Sequence, residues 1–213
     1  LVKAYEKLLE SEADEILPIL HLFNTTAVEV CEGQQMDMNF EEREDVSIAE
    51  YIRMIELKTS VLLACSLKVG ALVAGAGKEE AELLYSFGLN LGVAFQIQDD
   101  FLDAYADPEK FGKRVGAAIL LNKKTYLLLS ALEKASPEQK GRIEKLLMQN
   151  DRDDLKIESM LELYQEIEIP KYTKQIMKAY YEKAMLALDK IDQEQALKAP
   201  LIELANSLMV RVS

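Results

Sequence analysis

Four polar residues near the middle of the chain have the types and spacing needed to bind a metal ion. Gln96, Asp99, Asp100 and Asp103 follow the spacing i, i+3, i+4 and i+7, which puts residues on one side of an α-helix. We call this set the acidic stripe. Its neighbours are mostly apolar, so three carboxylates here would repel one another and lose hydration unless cations neutralised them. The pattern indicates either a divalent-metal site or an exposed acidic face.

A lysine in an apolar stretch is a second candidate for chemistry. Lys58 lies within Ile55–Leu63 and is followed by the hydroxyl of Thr59. An ammonium group in such surroundings must reach an anion or extend to solvent. Lys58 and Thr59 would suit a phosphate at the end of a cavity. The alternative is a surface lysine paired with Glu56 or Glu50.

Two further sets of polar residues give weaker signals. Gln34 and Asp37 follow Val30 at helical spacing and could face the same interior. The acidic run at 151–154 lies between polar stretches instead of inside an apolar helix, so we interpret it as a solvated turn and helix start.

The elements that must position these residues are predicted to be helices throughout. Apolar residues recur at spacings of three and four, and glycine and proline are scarce. The segment from Tyr105 to Leu121 is instead predicted to be a mobile loop, because Asp107-Pro108 and glycines interrupt it while Lys110, Lys113 and Arg114 make it basic. We predict helices over 1–10, 12–19, 20–39, 47–67, 68–75, 78–105, 122–135, 137–149, 153–166, 169–189 and 193–210.

Composition limits the classes of partner. The chain of 213 residues has a net charge of -12, which repels nucleic-acid backbones, so no nucleic-acid partner is expected and a polyanionic substrate would need divalent cations. The stretch 60–77 is too short to cross a bilayer and is interpreted as a buried core helix; no transmembrane segment is expected. Cys31 and Cys65 are interpreted as two buried thiols in a reducing compartment, the cytoplasm. The helical spacing of residues 1–5 suggests sequence upstream.

The motifs, in their order along the chain, resemble those of the trans-isoprenyl (polyprenyl) diphosphate synthases. The resemblance covers most of the chain and rests on Gly33-Gln34-x-x-Asp37, Lys58-Thr59, Phe95-Gln96-x-x-Asp99-Asp100-x-x-Asp103, a glycine-containing basic loop and Asn122-Lys123-Lys124-Thr125. It implies an all-α isoprenoid synthase bundle around a central cavity, formed by a single domain over 1–213 that is truncated at its N-terminal side.

The resemblance also implies an activity and a set of site residues. Members of the family condense an allylic diphosphate with isopentenyl diphosphate and release diphosphate. By resemblance, Asp99, Asp100 and Asp103 bind Mg²⁺, and Lys58, Asp99 and Asp103 take part in the chemistry. The residues that would contact substrate are Gln34, Asp37, Lys58, Thr59, Phe95, Gln96, Arg114 and Lys123. A homodimer is implied as well.

Two departures from the family pattern keep other functions open. The first aspartate-rich motif of the family has no counterpart here, and Ala118 stands where the family has an aspartate. A non-catalytic isoprenoid-binding or regulatory subunit, or a terpene cyclase of the same fold, are the alternatives. In the family, bulky residues near the first motif set the length of the product, and they have no counterpart here either.

Overall fold

The computed structural model of this protein describes residues 2–10, 16–106, 115–149 and 154–209. Across these residues the chain is helical and contains no strand, which confirms the all-α prediction. The elements are α1 (Val2–Leu9), α2 (Ile16–Glu42), α3 (Ile48–Ile55), a π-helical segment (Glu56–Ser60), α4 (Val61–Val73), α5 (Lys78–Tyr105), α6 (Ala117–Leu120), α7 (Tyr126–Lys134), α8 (Pro137–Met148), α9 (Asp154–Glu166), α10 (Ile169–Asp189) and α11 (Gln195–Met209).

Helix α5 is the centre of the bundle and packs chiefly against α4 and α10. Its apolar residues are fully buried at four positions along 11 residues, namely Phe87, Leu91, Ala94 and Ile97. Burial of a side chain as large as that of Phe87, Leu91 or Ile97 is worth about 1.5–3 kcal/mol. The helix that carries the acidic stripe is therefore held in place by the core.

Three glycines let helices approach α4 and the π segment closely. A Cβ atom added at Gly33 of α2 would lie 2.3 Å from the Lys58 backbone nitrogen, and one at Gly92 of α5 would lie 2.7 Å from the Ser60 Cα. A Cβ at Gly88 would lie 2.8 Å from the Ala64 Cα. Any larger residue at these positions would push the helices apart. These contacts fix the position of the segment that carries Lys58.

The structure joins elements that the sequence separates. Helix α2 runs through the predicted break near residue 20, because Pro18 lies in its first turn, where proline is tolerated. The predicted helices 47–67 and 68–75 form one helical run that ends at Val73, ahead of Gly75 with its φ of 78°. The interpretation of 60–77 as a buried helix is wrong on one face, since Leu62 and Val73 are exposed.

The region around the predicted loop also differs in part. Residues 117–120 form the short helix α6, and α7 begins at Tyr126 instead of 122. The cause is Asn122, whose φ of 51° is left-handed and ends the preceding turn, while the Thr125 side chain caps α7 by accepting from the Leu128 N–H. Arg114 and the loop lysines lie outside the described residues.

Two predicted helix starts and the cysteine interpretation have clear outcomes. Ser136 forms a capping box ahead of Pro137, and α10 opens at Ile169 with proline in its first turn, so both starts are confirmed.

Both thiols are free, but only Cys65 is buried; the prediction of a buried Cys31 is wrong, because its side of α2 faces outward. The helices that the structure describes include none that is both long and apolar enough to span a membrane.

Candidate active site

The π segment sets the direction of Lys58 and Thr59. Across it the backbone bonds to the fifth residue back, as in the bond from the Val61 N–H to the Glu56 carbonyl. The Ser60 hydroxyl donates to the backbone carbonyl of Ile55 at 3.3 Å and so satisfies this acceptor at the point where α3 passes into the π segment. π-helical turns of this kind are frequent at functional sites. We call the meeting of α2, the π segment and α5 the helix junction.

Lys58 pairs with α2 across the helix junction. Its Nζ lies 2.6 Å from the Asp37 Oδ2, and the side chains retain 32% and 15% of their exposure. The alternative pairing with Glu56 or Glu50 is wrong, since those carboxylates pair with Arg53 and Arg43. Lys58 is thus a partly exposed cation with a fixed direction.

Thr59, the next residue, reaches the opposite neighbour. Its hydroxyl donates to the Gln96 Oε1 on α5 at 3.2 Å. Consecutive residues of the π segment therefore contact two different helices. Phe95 is partly buried beside Gln96, whereas Gln34 is exposed on α2. The structure brings Asp37, Lys58, Thr59 and Gln96 together.

The three aspartates of the acidic stripe lie on one face of the continuous helix α5 but have different surroundings. Asp99 is exposed, and Asp100 is partly buried and accepts from the buried Tyr51 hydroxyl at 2.6 Å. Burial raises the pKa of Asp100 to about 6, opposed by the Tyr51 hydrogen bond and the Lys123 charge and assisted by the neighbouring aspartates. Asp100 thus has a carboxyl group that burial makes harder to ionise.

Asp103 is bound by the segment that follows α5. Its Oδ2 accepts from the Ala118 N–H at 2.9 Å, and its backbone carbonyl accepts from the Gly116 N–H at 2.5 Å. We call residues 115–125 the capping segment. The position where the family pattern has an aspartate side chain therefore contributes a backbone donor here.

Lys123 belongs to the capping segment and is exposed. It is near enough to Asp100 for its charge to lower the pKa of that carboxyl. Its backbone N–H donates to the Ala118 carbonyl at 2.9 Å, which keeps it beside α6. Lys123 of the capping segment is thus within electrostatic range of the acidic stripe.

The donor set suits Mg²⁺, although the carboxylates do not converge by themselves. Among the residues that the structure describes, no three His, Cys, Asp or Glu side chains form a group that could hold a metal ion. Neighbouring carboxylates disfavour one another's ionised form unless a cation neutralises them. Mg²⁺ usually takes only one or two carboxylates and completes its shell with water and phosphate oxygens. The exposed Asp99 and the partly buried Asp100 and Asp103 fit that requirement.

The chain as a whole is similar to known proteins. The family model described as polyprenyl synthetase matches residues 1–164. The chain belongs to the polyprenyl synthetase family. It is 32% identical over 198 residues to a short chain isoprenyl diphosphate synthase of Methanothermobacter thermautotrophicus, covering 92% of this chain and 60% of that protein.

Solved structures of the family share this fold. A geranylgeranyl pyrophosphate synthase structure is 38% identical with a TM-score of 0.91, covering 100% of this chain and 66% of its own. A geranylgeranyl pyrophosphate synthase of Corynebacterium glutamicum, complexed with isoprenyl diphosphate and magnesium, is 26% identical with a TM-score of 0.85, covering 94% of this chain and 57% of its own. The chain spans less than two thirds of the length of these relatives.

The sequence did not indicate several residues that shape the site. Tyr51 has the spacing of an ordinary core residue on α3, and nothing in a single sequence shows that its hydroxyl reaches Asp100. The Ala118 backbone donor could not be found from residue types, because every residue except proline has one. Asn122 beside the lysines was a usable signal, since asparagine is enriched at left-handed positions.

Proposed function

We propose that this protein is a prenyltransferase that condenses an allylic diphosphate with isopentenyl diphosphate to a longer trans-prenyl diphosphate and releases diphosphate. The observation that supports it most is the link between Thr59 and Gln96. That hydrogen bond joins the residue next to Lys58 to Gln96, which lies about one helical turn, roughly 5 Å along α5, before the aspartates of the acidic stripe. A cation and divalent-metal ligands so close together suit one diphosphate group.

The residues of the chain divide the task of holding that diphosphate. Lys58 and Lys123 supply positive charge, and the Thr59 hydroxyl supplies a hydrogen bond. Asp37 holds the Lys58 ammonium at 2.6 Å and so limits where it can point. Asp99, Asp100 and Asp103 would hold Mg²⁺, which when bound supplies further charge stabilisation to the diphosphate oxygens. The complex of the Corynebacterium glutamicum synthase with magnesium is consistent with this assignment.

The reaction breaks one bond and forms another. The allylic C–O bond breaks, its electron pair leaves with diphosphate, and the double bond of isopentenyl diphosphate attacks the allylic carbon to form the new C–C bond. Loss of a proton to the released diphosphate completes the 1'-4 condensation. Lys58 and Lys123 favour the first step, because negative charge on the leaving group grows as the bond breaks. The apolar helices around α5 keep water away from the allylic carbocation that forms when the C–O bond breaks.

Diphosphate release by the complete gene product tests the proposal. We expect release from an allylic diphosphate only when isopentenyl diphosphate is also present. Release from the allylic substrate alone would indicate a cyclase, and no release would indicate a non-catalytic subunit; either result would refute the proposal.

A pair of lysine variants tests the site assignment. Lys58→Met should reduce turnover by about 100-fold or more, because transition-state charge stabilisation is lost. The control is Lys68→Met, ten residues further on, where the ammonium pairs with Glu82 on the outside of the bundle.

Asp99→Ala should also reduce turnover and weaken Mg²⁺ dependence, with little effect on stability because Asp99 is exposed. Full activity of Asp99→Ala would contradict the metal assignment.

Two properties of the whole protein follow from the family and are proposed with it. We expect a homodimer, for which the exposed apolar residues Leu62 and Val73 on α4 are a face to test by measuring mass in solution. We also place the protein in the cytoplasm, which the two free thiols support.

A further inference from the structure

A buried lysine on α9 lies outside every motif of the family pattern. Lys156 retains 2% of its exposure. Its ammonium donates to the Asn122 Oδ1 at 2.9 Å and to the Gln149 carbonyl at 3.1 Å. A buried ammonium group is costly to desolvate, so each of these directed bonds matters to its placement. Lys156 therefore links α9 to the capping segment through a specific contact.

Asn122, the partner of Lys156, has a backbone conformation that its own side-chain amide helps to stabilise. Asn122 adopts a left-handed conformation with φ of 51°, which asparagine tolerates because its short amide can bond locally. Its Nδ2 donates to the Leu147 carbonyl at 2.9 Å near the end of α8. The amide of Asn122 is thus held on one side by α8 and on the other by Lys156.

The capping segment connects Asn122 to both charged groups of the site. Lys123 is the next residue, and its N–H bonds to the Ala118 carbonyl at 2.9 Å. The Ala118 N–H in turn bonds to the Asp103 Oδ2 at 2.9 Å. At the other end of the segment, a Cβ on Gly116 would lie 2.7 Å from the side chain of Ile157, the neighbour of Lys156. Helix α9 therefore contacts the segment at both ends.

We propose that Lys156 is a positioning residue: by holding Asn122, it fixes the capping segment so that Lys123 and Asp103 face the diphosphate. Lys156 reaches the capping segment through the amide of Asn122. The statement about the diphosphate rests on the proposed function, whereas the statement about the capping segment does not.

Amide hydrogen exchange tests the effect on the segment without any ligand. Lys156→Met should speed exchange at the Ala118 and Lys123 amides by about tenfold, because their bonds depend on the anchored turn. The matched control is Lys198→Met, which removes another buried lysine, one that donates to the Ile191 carbonyl beside α11. Unchanged exchange in Lys156→Met, or the same increase in Lys198→Met, would overturn the inference.

A double-mutant cycle on pyrophosphate binding tests the route through Asn122. The variant Asn122→Gly removes the amide while glycine keeps the left-handed backbone, so it also replaces Lys156→Met if that variant fails to fold. With inorganic pyrophosphate and Mg²⁺ on the complete gene product, we expect each single variant to weaken binding by about tenfold and the double variant to match the single ones. Lys198→Met should bind as the unchanged protein does.

The outcomes separate the two levels of the proposal. Additive losses would show that Lys156 acts by its own charge instead of through Asn122 and would overturn the inference. Absence of pyrophosphate binding in the unchanged protein would refute the proposed function and the diphosphate part of the inference, while the exchange result would still decide whether Lys156 holds the segment.

Discussion

The helix junction and the capping segment both present charged groups to the acidic stripe, but they hold them by different contacts. At the junction, side chains meet across closely packed helices, as in the pairs Lys58–Asp37 and Thr59–Gln96. In the capping segment, backbone groups dominate, as in the bond from the Ala118 N–H to Asp103. The first arrangement depends on how closely helices approach. The second depends on the conformation of a turn.

The two kinds of contact are sensitive to different substitutions. In the helix junction, adding a Cβ at one of the glycines should separate the helices even when every charged residue is kept. In the capping segment, the turn conformation should be lost when a left-handed residue is replaced or when a side chain that holds the turn is removed. Substitutions in one region, each with a control that leaves both regions intact, can therefore separate the two kinds of contact.

The largest effect is expected at the helix junction. Gly33→Ala should destabilise the protein by about 3 kcal/mol, because its Cβ would lie 2.3 Å from a backbone atom of Lys58, which cannot move independently. Thermal or denaturant unfolding measures it. As control, Gly70→Ala on α4 meets nothing within 4 Å and should stabilise by about 0.5–1 kcal/mol. Equal effects at the two glycines would show that close helix packing does not define the junction.

A smaller loss is expected in the capping segment. Gly116→Ala should destabilise by about 2 kcal/mol, since it combines a φ of 83° with contact to Ile157. Gly75→Ala, with φ of 78° in open space, tests the strain alone and should cost about 1 kcal/mol. The difference between their unfolding free energies isolates the packing against α9. If Gly75→Ala were the more damaging change, that packing would be unimportant.

Tyr51→Phe removes a donor from the acidic stripe itself. The Tyr51 hydrogen bond lowers the pKa of Asp100, so its loss should raise that pKa above its present value of about 6. NMR titration of the Asp100 carboxyl carbon in buffer free of divalent ions measures the change. Tyr180→Phe, on α10, is the control and should leave the titration unchanged. A pKa that fell in Tyr51→Phe would contradict the hydrogen bond between Tyr51 and Asp100.

The Tyr51→Phe variant also tests how the free energy of unfolding depends on pH. Because burial raises the pKa of Asp100 above its unfolded value, its contribution to stability is fully present below about pH 4 and is lost as the pH rises through about 6. Tyr51→Phe should therefore cost more at about pH 8, where the carboxylate is charged, than at about pH 4, by roughly 1 kcal/mol. Unfolding at the two pH values without divalent ions checks the sign.

The smallest effect is expected from the hydrogen bond between the π segment and α5. Thr59→Val keeps the shape but removes the donor to Gln96, so the stability should fall by about 0.5–1 kcal/mol. Gln96→Glu offers a different acceptor to the same hydroxyl and serves as a matched comparison. A Thr59→Val variant as stable as the unchanged protein would show that Thr59 is held by the π segment alone.

The two regions differ in how far the sequence predicts them. The helices and the stripe on α5 followed from spacing, because helical periodicity is a local property. The grouping of Asp37, Lys58, Thr59 and Gln96 was expected only from the family resemblance. The predicted break in α2 is wrong, since proline is tolerated in the first turn of a helix and does not interrupt it. Helix α6 was missed because its four residues fall in a stretch punctuated by glycines.

The all-α class, the family and the residue types of the site can be read from the amino-acid sequence. The partners that these residues take are visible only in the folded chain: Asp37 for Lys58, Tyr51 for Asp100, the Ala118 backbone for Asp103 and Asn122 for Lys156. Periodicity and motif order are fixed by neighbours along the chain, whereas burial, a π-helical turn and a left-handed asparagine depend on how distant helices pack against one another.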